Sequence, residues 1–181
     1  MWNGFCLEVP PPNPSPPPLA VPESFHVRIA KSEHLFSAAH FITIGDHCER
    51  LHGHNYRVAT EVYGPLDRDH LVVDFLLVRE KLREIIGELD HFMLLPTDHP
   101  RLKVVEQDNE IAATFGDRRW TFPRGDCRLL PVANTTAELL AAWIGKRLAE
   151  SLSAAGIRPG RLRIELDECD GQIAVWELAG N

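Results

Sequence analysis

Four residues within fifteen positions carry side chains suited to metal chemistry: His40, Cys48, His52 and His54. In a strand, side chains two positions apart point to the same face. His52 and His54 therefore project together, and Gly53 between them leaves room for close approach. Two adjacent imidazoles make half a zinc site, because zinc takes nitrogen ligands at about 2.0–2.1 Å in a tetrahedral shell. His40 ends the preceding strand and pairs back as a candidate third ligand. The ordinary alternative is a pair of solvent-facing polar residues on one strand face.

Cys48 has two readings at this point. It is either a fourth ligand that closes a structural zinc centre, or a thiolate standing off the metal, with the fourth position open as in catalytic sites. An inert apolar role fits less well, since its neighbours are Asp46, His47, Glu49 and Arg50.

Asp90-His91 either closes a helix, with the imidazole complementing its negative end, or forms a pair in which a carboxylate orients an imidazole that moves protons. From the dipeptide alone the first is sufficient. Thr135-Thr136-Ala137-Glu138 reads as a capping box, with Thr135 at the N-cap and Glu138 at N3. Glu168 sits where a strand enters an acidic turn. The remaining cysteines and histidines read as structural or surface residues.

The elements that must position these groups follow from periodicity. Phe25, Val27 and Ile29 alternate with polar neighbours, predicting a half-buried strand continuing toward Phe36. A second strand is expected from about His52 to Tyr63, stopped by Gly64-Pro65. Asp74 is the expected N-cap of a helix with Phe75, Val78, Leu82, Ile85 or Ile86, and Leu89 as its stripe, ending near Asp90-His91. A second helix, starting at Thr135 or Thr136, carries Leu140, Trp143, Ile144, Leu148 and Leu152 and stops at Gly156. Strands from Arg161 to Leu166 and from Ile173 to Leu178 meet through Asp170-Gly171, a hairpin signal. Between the helices, a stretch from about 101 to 132 reads as an insertion with a hairpin around Gly116-Asp117. The pattern predicts an α+β domain, an antiparallel four-stranded sheet with two helices on one face. So small a sheet has exposed edges, a reason to expect a homo-oligomer.

Eight of the 14 prolines fall between Pro10 and Pro22, so residues 1–23 are expected to form a disordered arm and 24–181 the folded domain. At 181 residues and 44% hydrophobic content the chain can bury a core without disulfides. A net charge of −7 argues against a general nucleic-acid partner. No apolar run approaches the ~18 residues that span a bilayer. Four scattered cysteines and an N-terminus without a basic n-region point to a reducing, cytoplasmic setting.

Taken in order, Phe36-Ser37-Ala38-Ala39-His40, Cys48-Glu49-Arg50-Leu51-His52-Gly53-His54-Asn55-Tyr56, Val73-Asp74-Phe75, Leu89-Asp90-His91, Asn134-Thr135-Thr136-Ala137-Glu138 and Asp167-Glu168 resemble the 6-pyruvoyltetrahydropterin synthase and 6-carboxytetrahydropterin synthase family. The resemblance covers about residues 25–178, apart from the insertion. It implies the tunnelling fold, in which sheets of several subunits join into a barrel, as trimers or hexamers with shared active sites. It also implies a Zn2+ cofactor on His40, His52 and His54. Cys48 would be the catalytic thiol, with Asp90 and His91 as proton-transfer partners from a neighbouring subunit, and Glu138 and Glu168 would hold the pterin. The implied substrate is the small-molecule pterin triphosphate 7,8-dihydroneopterin triphosphate. The gap of three residues between Cys48 and His52 resembles the carboxy branch, which releases acetaldehyde and triphosphate and feeds queuosine and 7-deazaguanine synthesis. The alternatives are the pyruvoyl product, or a noncatalytic pterin-binding protein on the same scaffold.

Overall fold

A computed structural model describes residues 23–30 and 34–180. The proline-rich arm therefore lies outside the described residues, except for its last position. In chain order the elements are β1 (Phe25–Ile29), β2 (Leu35–His40), β3 (Thr43–Ile44), β4 (His47–Cys48), β5 (His52–Gly64), α1 (Phe75–Gly87), β6 (Phe92–Pro96), β7 (Lys103–Gln107), β8 (Glu110–Phe115), β9 (Arg118–Pro123), β10 (Cys127–Leu130), α2 (Ala137–Ala154), β11 (Arg161–Cys169) and β12 (Gln172–Ala179).

The main sheet has seven strands in the order β10-β6-β2-β5-β11-β12, with β1 also on β5. The expected antiparallel four-stranded sheet is thus corrected to a larger mixed one, since β6 runs parallel to both β2 and β10. The single strand expected from Phe25 toward Phe36 is two strands, with Ile29 opposite Thr60 and Leu35 opposite Arg57 on the same long partner.

Both helices pack on one face. Val78, Leu82, Ile85 and Ile86 of α1 and Leu140, Ile144, Leu148 and Leu152 of α2 share a core with Phe36, Tyr56, Val58, Ile164 and Leu166 of the sheet. Phe75 is exposed rather than part of that stripe. Asp74 caps α1, accepting from the amide of Leu76 at 2.8 Å. The helix stops at Glu88, short of the expected Asp90-His91. Gly145 lets α2 lie against β12, because a Cβ there would come within 2.1 Å of the Trp176 ring.

Part of the other face is covered by the three-stranded antiparallel sheet β7-β8-β9. Its Ile111, Ala113 and Phe115 form a second, smaller core with Phe41, Cys48, Met93, Leu95 and Cys127. Alternation along β6 divides the two cores, Leu94 on the helical side and Met93 and Leu95 on the other. Of the stretch 101–132 expected as an insertion, β7–β9 form this separate sheet, while β10 joins the main one. Among the described residues, no helix is long and apolar enough to cross a membrane.

Candidate metal centre and adjoining clefts

His40 ends β2 directly opposite His52, and Ala38 lies opposite His54. Gly53 is needed at this crossing, for a Cβ there would sit 3.0 Å from the carbonyl oxygen of Ala38. The three imidazoles converge, with one ring nitrogen from each within 4.8 Å of the others. This donor set could hold a metal ion.

In His40 and His52 the outer nitrogen is fixed in the way metal-binding imidazoles need. His40 Nδ1–H donates to the carbonyl of Thr135 at 2.8 Å, and His52 Nδ1–H to the carbonyl of Arg50 at 2.7 Å. A carbonyl only accepts, so each Nε2 keeps its lone pair for a ligand. Burial pushes the His40 pKa down, against the Thr135 carbonyl and the Glu168 carboxylate, which favour the charged ring. Burial thus favours the neutral ring at His40, the form that can ligate a metal.

Glu168 joins this cluster to a cleft. The pairing of β11 with β12 slips between Asp167 and Cys169, leaving Glu168 as the extra residue of a bulge. Bulges re-aim side chains, and the carboxylate lies 3.5 Å from His40 Nε2 and 3.9 Å from His54 Nε2. It also accepts from the Tyr56 hydroxyl at 3.2 Å. Burial, then the nearby Glu168 charge, raise the Tyr56 pKa, so this hydroxyl stays a donor. Glu138 and Glu168 line one cleft of about 510 Å³ with Ile42, Ile44, Thr136 and Ile173.

The N-cap of α2 is Thr136, one residue later than expected, and its hydroxyl accepts from Leu139. Thr135 serves the site instead. Its carbonyl holds His40 and its hydroxyl donates to the carbonyl of Phe41 at 3.1 Å.

Cys48 is not in the imidazole cluster. It is 2% exposed in the smaller core. Burial pushes its thiol pKa up, opposed by the Arg118 cation and reinforced by Glu49.

Asp90 and His91 do not close the helix. His91 lies beyond it with φ +63°. Its Nδ1 is 2.9 Å from Asp90 Oδ2, while Asp90 Oδ1 accepts from the Ser37 amide at 2.8 Å. Burial would raise the Asp90 pKa, but the Ser37 amide and the His91 ring outweigh it and leave the carboxyl below its ordinary value. The His91 side chain is 81% exposed. It lines a cleft of about 520 Å³ with Ser37, Gly53, Asn55, Met93 and Phe122. His54 of the imidazole cluster is also among the residues that line it.

Residues not singled out from sequence also shape the site. Tyr56 continues the alternation of His52 and His54, a signal present in the sequence. The carbonyl of Thr135 and the guanidinium of Arg118 come from distant segments and leave no local signal.

A family model described as 6-pyruvoyl tetrahydropterin synthase matches residues 28–178. A protein of Methanocaldococcus jannaschii, provisionally named 6-carboxy-5,6,7,8-tetrahydropterin synthase, is 31% identical over 143 residues, 78% of this chain and 88% of its own. The 6-carboxy-5,6,7,8-tetrahydropterin synthase of Aquifex aeolicus is 29% identical over 133 residues, 73% of this chain and 71% of its own. The crystal structure of 6-pyruvoyl tetrahydropterin synthase from Plasmodium vivax superposes with a TM-score of 0.82 at 26% identity, covering 87% of this chain and 99% of that one. The Plasmodium falciparum enzyme gives 0.81 at 29%, covering 86% and 98%.

Proposed function

Because the chain belongs to the 6-pyruvoyl tetrahydropterin synthase family, we propose that it converts 7,8-dihydroneopterin triphosphate to 6-carboxy-5,6,7,8-tetrahydropterin, releasing acetaldehyde and triphosphate. The observation that carries this is the junction at Glu168, whose carboxylate touches the three-imidazole cluster and also lines the cleft containing Glu138. A metal site and a carboxylate-lined cleft of ligand size thus share one wall.

Zinc is the metal proposed for His40, His52 and His54, three nitrogen donors leaving the fourth position for substrate. Bound there, it supplies a Lewis acid for the substrate's side-chain hydroxyls. Glu138 and Glu168 accept hydrogen bonds from the pterin ring N–H and exocyclic amine. Cys48 is the group assigned to take a side-chain proton as thiolate, the Arg118 cation opposing the burial that raises its pKa. His91, oriented by Asp90, returns one. Asp90 and His91 are assigned to the site of a neighbouring copy, so that the complete site forms in a trimer or hexamer. The cytoplasm is the proposed location, where Cys48 stays reduced.

The three-residue gap between Cys48 and His52 and the similarity to proteins named for the carboxy product favour that branch. The likeness to the Plasmodium structures favours a second reading, 6-pyruvoyltetrahydropterin formation without carbon–carbon cleavage. Mass spectrometry of products from zinc-loaded protein and 7,8-dihydroneopterin triphosphate, with acetaldehyde assayed alongside, separates the two. Carboxytetrahydropterin with acetaldehyde is expected. The pyruvoyl product without acetaldehyde overturns the branch assignment, and no product from zinc-loaded protein leaves a pterin-binding protein.

A further inference from the structure

The segment that carries Cys48 is held by side chains from β9 and from the stretch that leads into β7. β3 and β4 are two residues each, too short a ladder to fix their own position. His99, Arg101 and Arg118 take hold of them. His99 Nδ1 accepts from the amides of Arg101 and Leu102, so its Nε2–H donates to the Thr43 hydroxyl at 2.6 Å. Arg101 binds the Asp46 carboxylate and the Gly45 carbonyl. Arg118, on β9, donates from one nitrogen to the carbonyls of Cys48 and Glu49, the latter at 3.0 Å.

Arg118 is itself fixed from behind. Its guanidinium lies over the Trp120 ring at 4.5 Å. Trp120 stacks on Phe41 with centroids 4.5 Å apart, next in sequence to the metal-ligand candidate His40. A planar cation can stack on an indole and still donate to two carbonyls, which an ammonium does poorly.

We propose that Arg118 is a positioning residue that clamps the main chain at Cys48 and Glu49, and so sets where the Cys48 thiol stands. This rests on Cys48 being the reacting thiol, and deepens that assignment by giving the insertion a part in it. The ordinary alternative is a surface arginine that merely stabilises its own hairpin. The alternatives differ in what moves when the side chain is removed.

The test uses Arg118→Ala and Arg118→Lys in the full-length, zinc-loaded protein, with iodoacetamide labelling of Cys48 and Cys127 followed by peptide mass spectrometry. Cys127 is buried in the same small core and reports its integrity. In Arg118→Ala, Cys48 should label at least about ten-fold faster while Cys127 stays protected. Turnover should fall about ten- to a hundred-fold in kcat with KM nearly unchanged, the scale expected when a reacting group is displaced. Arg118→Lys should recover part of both. Unchanged Cys48 labelling, or equal gains at Cys48 and Cys127, overturns the clamp. Selective exposure of Cys48 in a protein whose wild type makes no pterin product supports the clamp and removes the proposed reaction instead.

Discussion

The His40 ring donates to the main-chain carbonyl of Thr135 across 2.8 Å, joining the end of β2 to the residue before the α2 cap. Ninety-five positions separate the two. The bond makes the choice of which His40 nitrogen faces the imidazole cluster a consequence of how the second helix begins.

Replacing His52 with Ala removes one of three nitrogen donors. Metal content, measured by plasma mass spectrometry, should fall well over ten-fold, since even loss of an outer hydrogen-bond partner costs metal sites about 10–100-fold in affinity. Chelation of the wild type should leave its far-ultraviolet circular dichroism unchanged, because the helical core does not use the site. Unfolding on chelation would mark a structural zinc domain.

Cys48→Ala should abolish turnover and retain the metal, as Cys48 stands outside the imidazole cluster. Steady-state assay and metal analysis on one preparation test both halves. Loss of metal would restore Cys48 as a fourth ligand.

Glu138→Gln and Glu168→Gln each remove a charged acceptor from the shared cleft. A hydrogen bond to a charged group contributes about 1.5–3 kcal/mol, so pterin affinity by calorimetry should drop roughly ten- to a hundred-fold in each variant. Undiminished affinity in both would place the pterin elsewhere.

The pairing of His52 with His54 was legible because strand alternation is local, and Asp74, Gly156 and Asp170-Gly171 because caps and tight turns are local as well. Asp170 and Gly171 do adopt φ +39° and +97°, the positive pair a two-residue hairpin needs. β6 was not legible. Phe92 to Pro96 is a short apolar run buried on both faces, without alternation, and ends in proline. Its parallel partners come from far along the chain, which no window of sequence reports. Thr135 and Thr136 compete for one cap by a single position, and only the His40 contact shows why the first was unavailable. Glu168 read as a solvated turn because a bulge is invisible without its partner strand.

Asp90 provides a pH signature. Its folded pKa lies below the unfolded value of about 3.9. Its contribution is therefore fully present above the unfolded value and is lost as pH falls through the folded one. Asp90→Asn should lower stability above about pH 5 by a few tenths to 1 kcal/mol, the range for a partly solvent-screened pair. The gap to wild type should close as pH drops below 4. Urea midpoints between pH 3 and 7 test this, and a constant gap would contradict it.

The candidate metal ligands lie where β2 pairs with β5, and the Asp90–His91 pair lies between α1 and β6. If the ligands of one chain meet the Asp90–His91 pair of its neighbour, inheritance of activity becomes a property of mixtures. Chains carrying His52→Ala and chains carrying His91→Ala would each be inactive alone. Co-assembled, they would rescue each other, because some junctions would combine an intact ligand set with an intact proton donor. Mixed with wild type, neither mutant would be dominant, because each lacks only one half of a junction and still offers the other half intact.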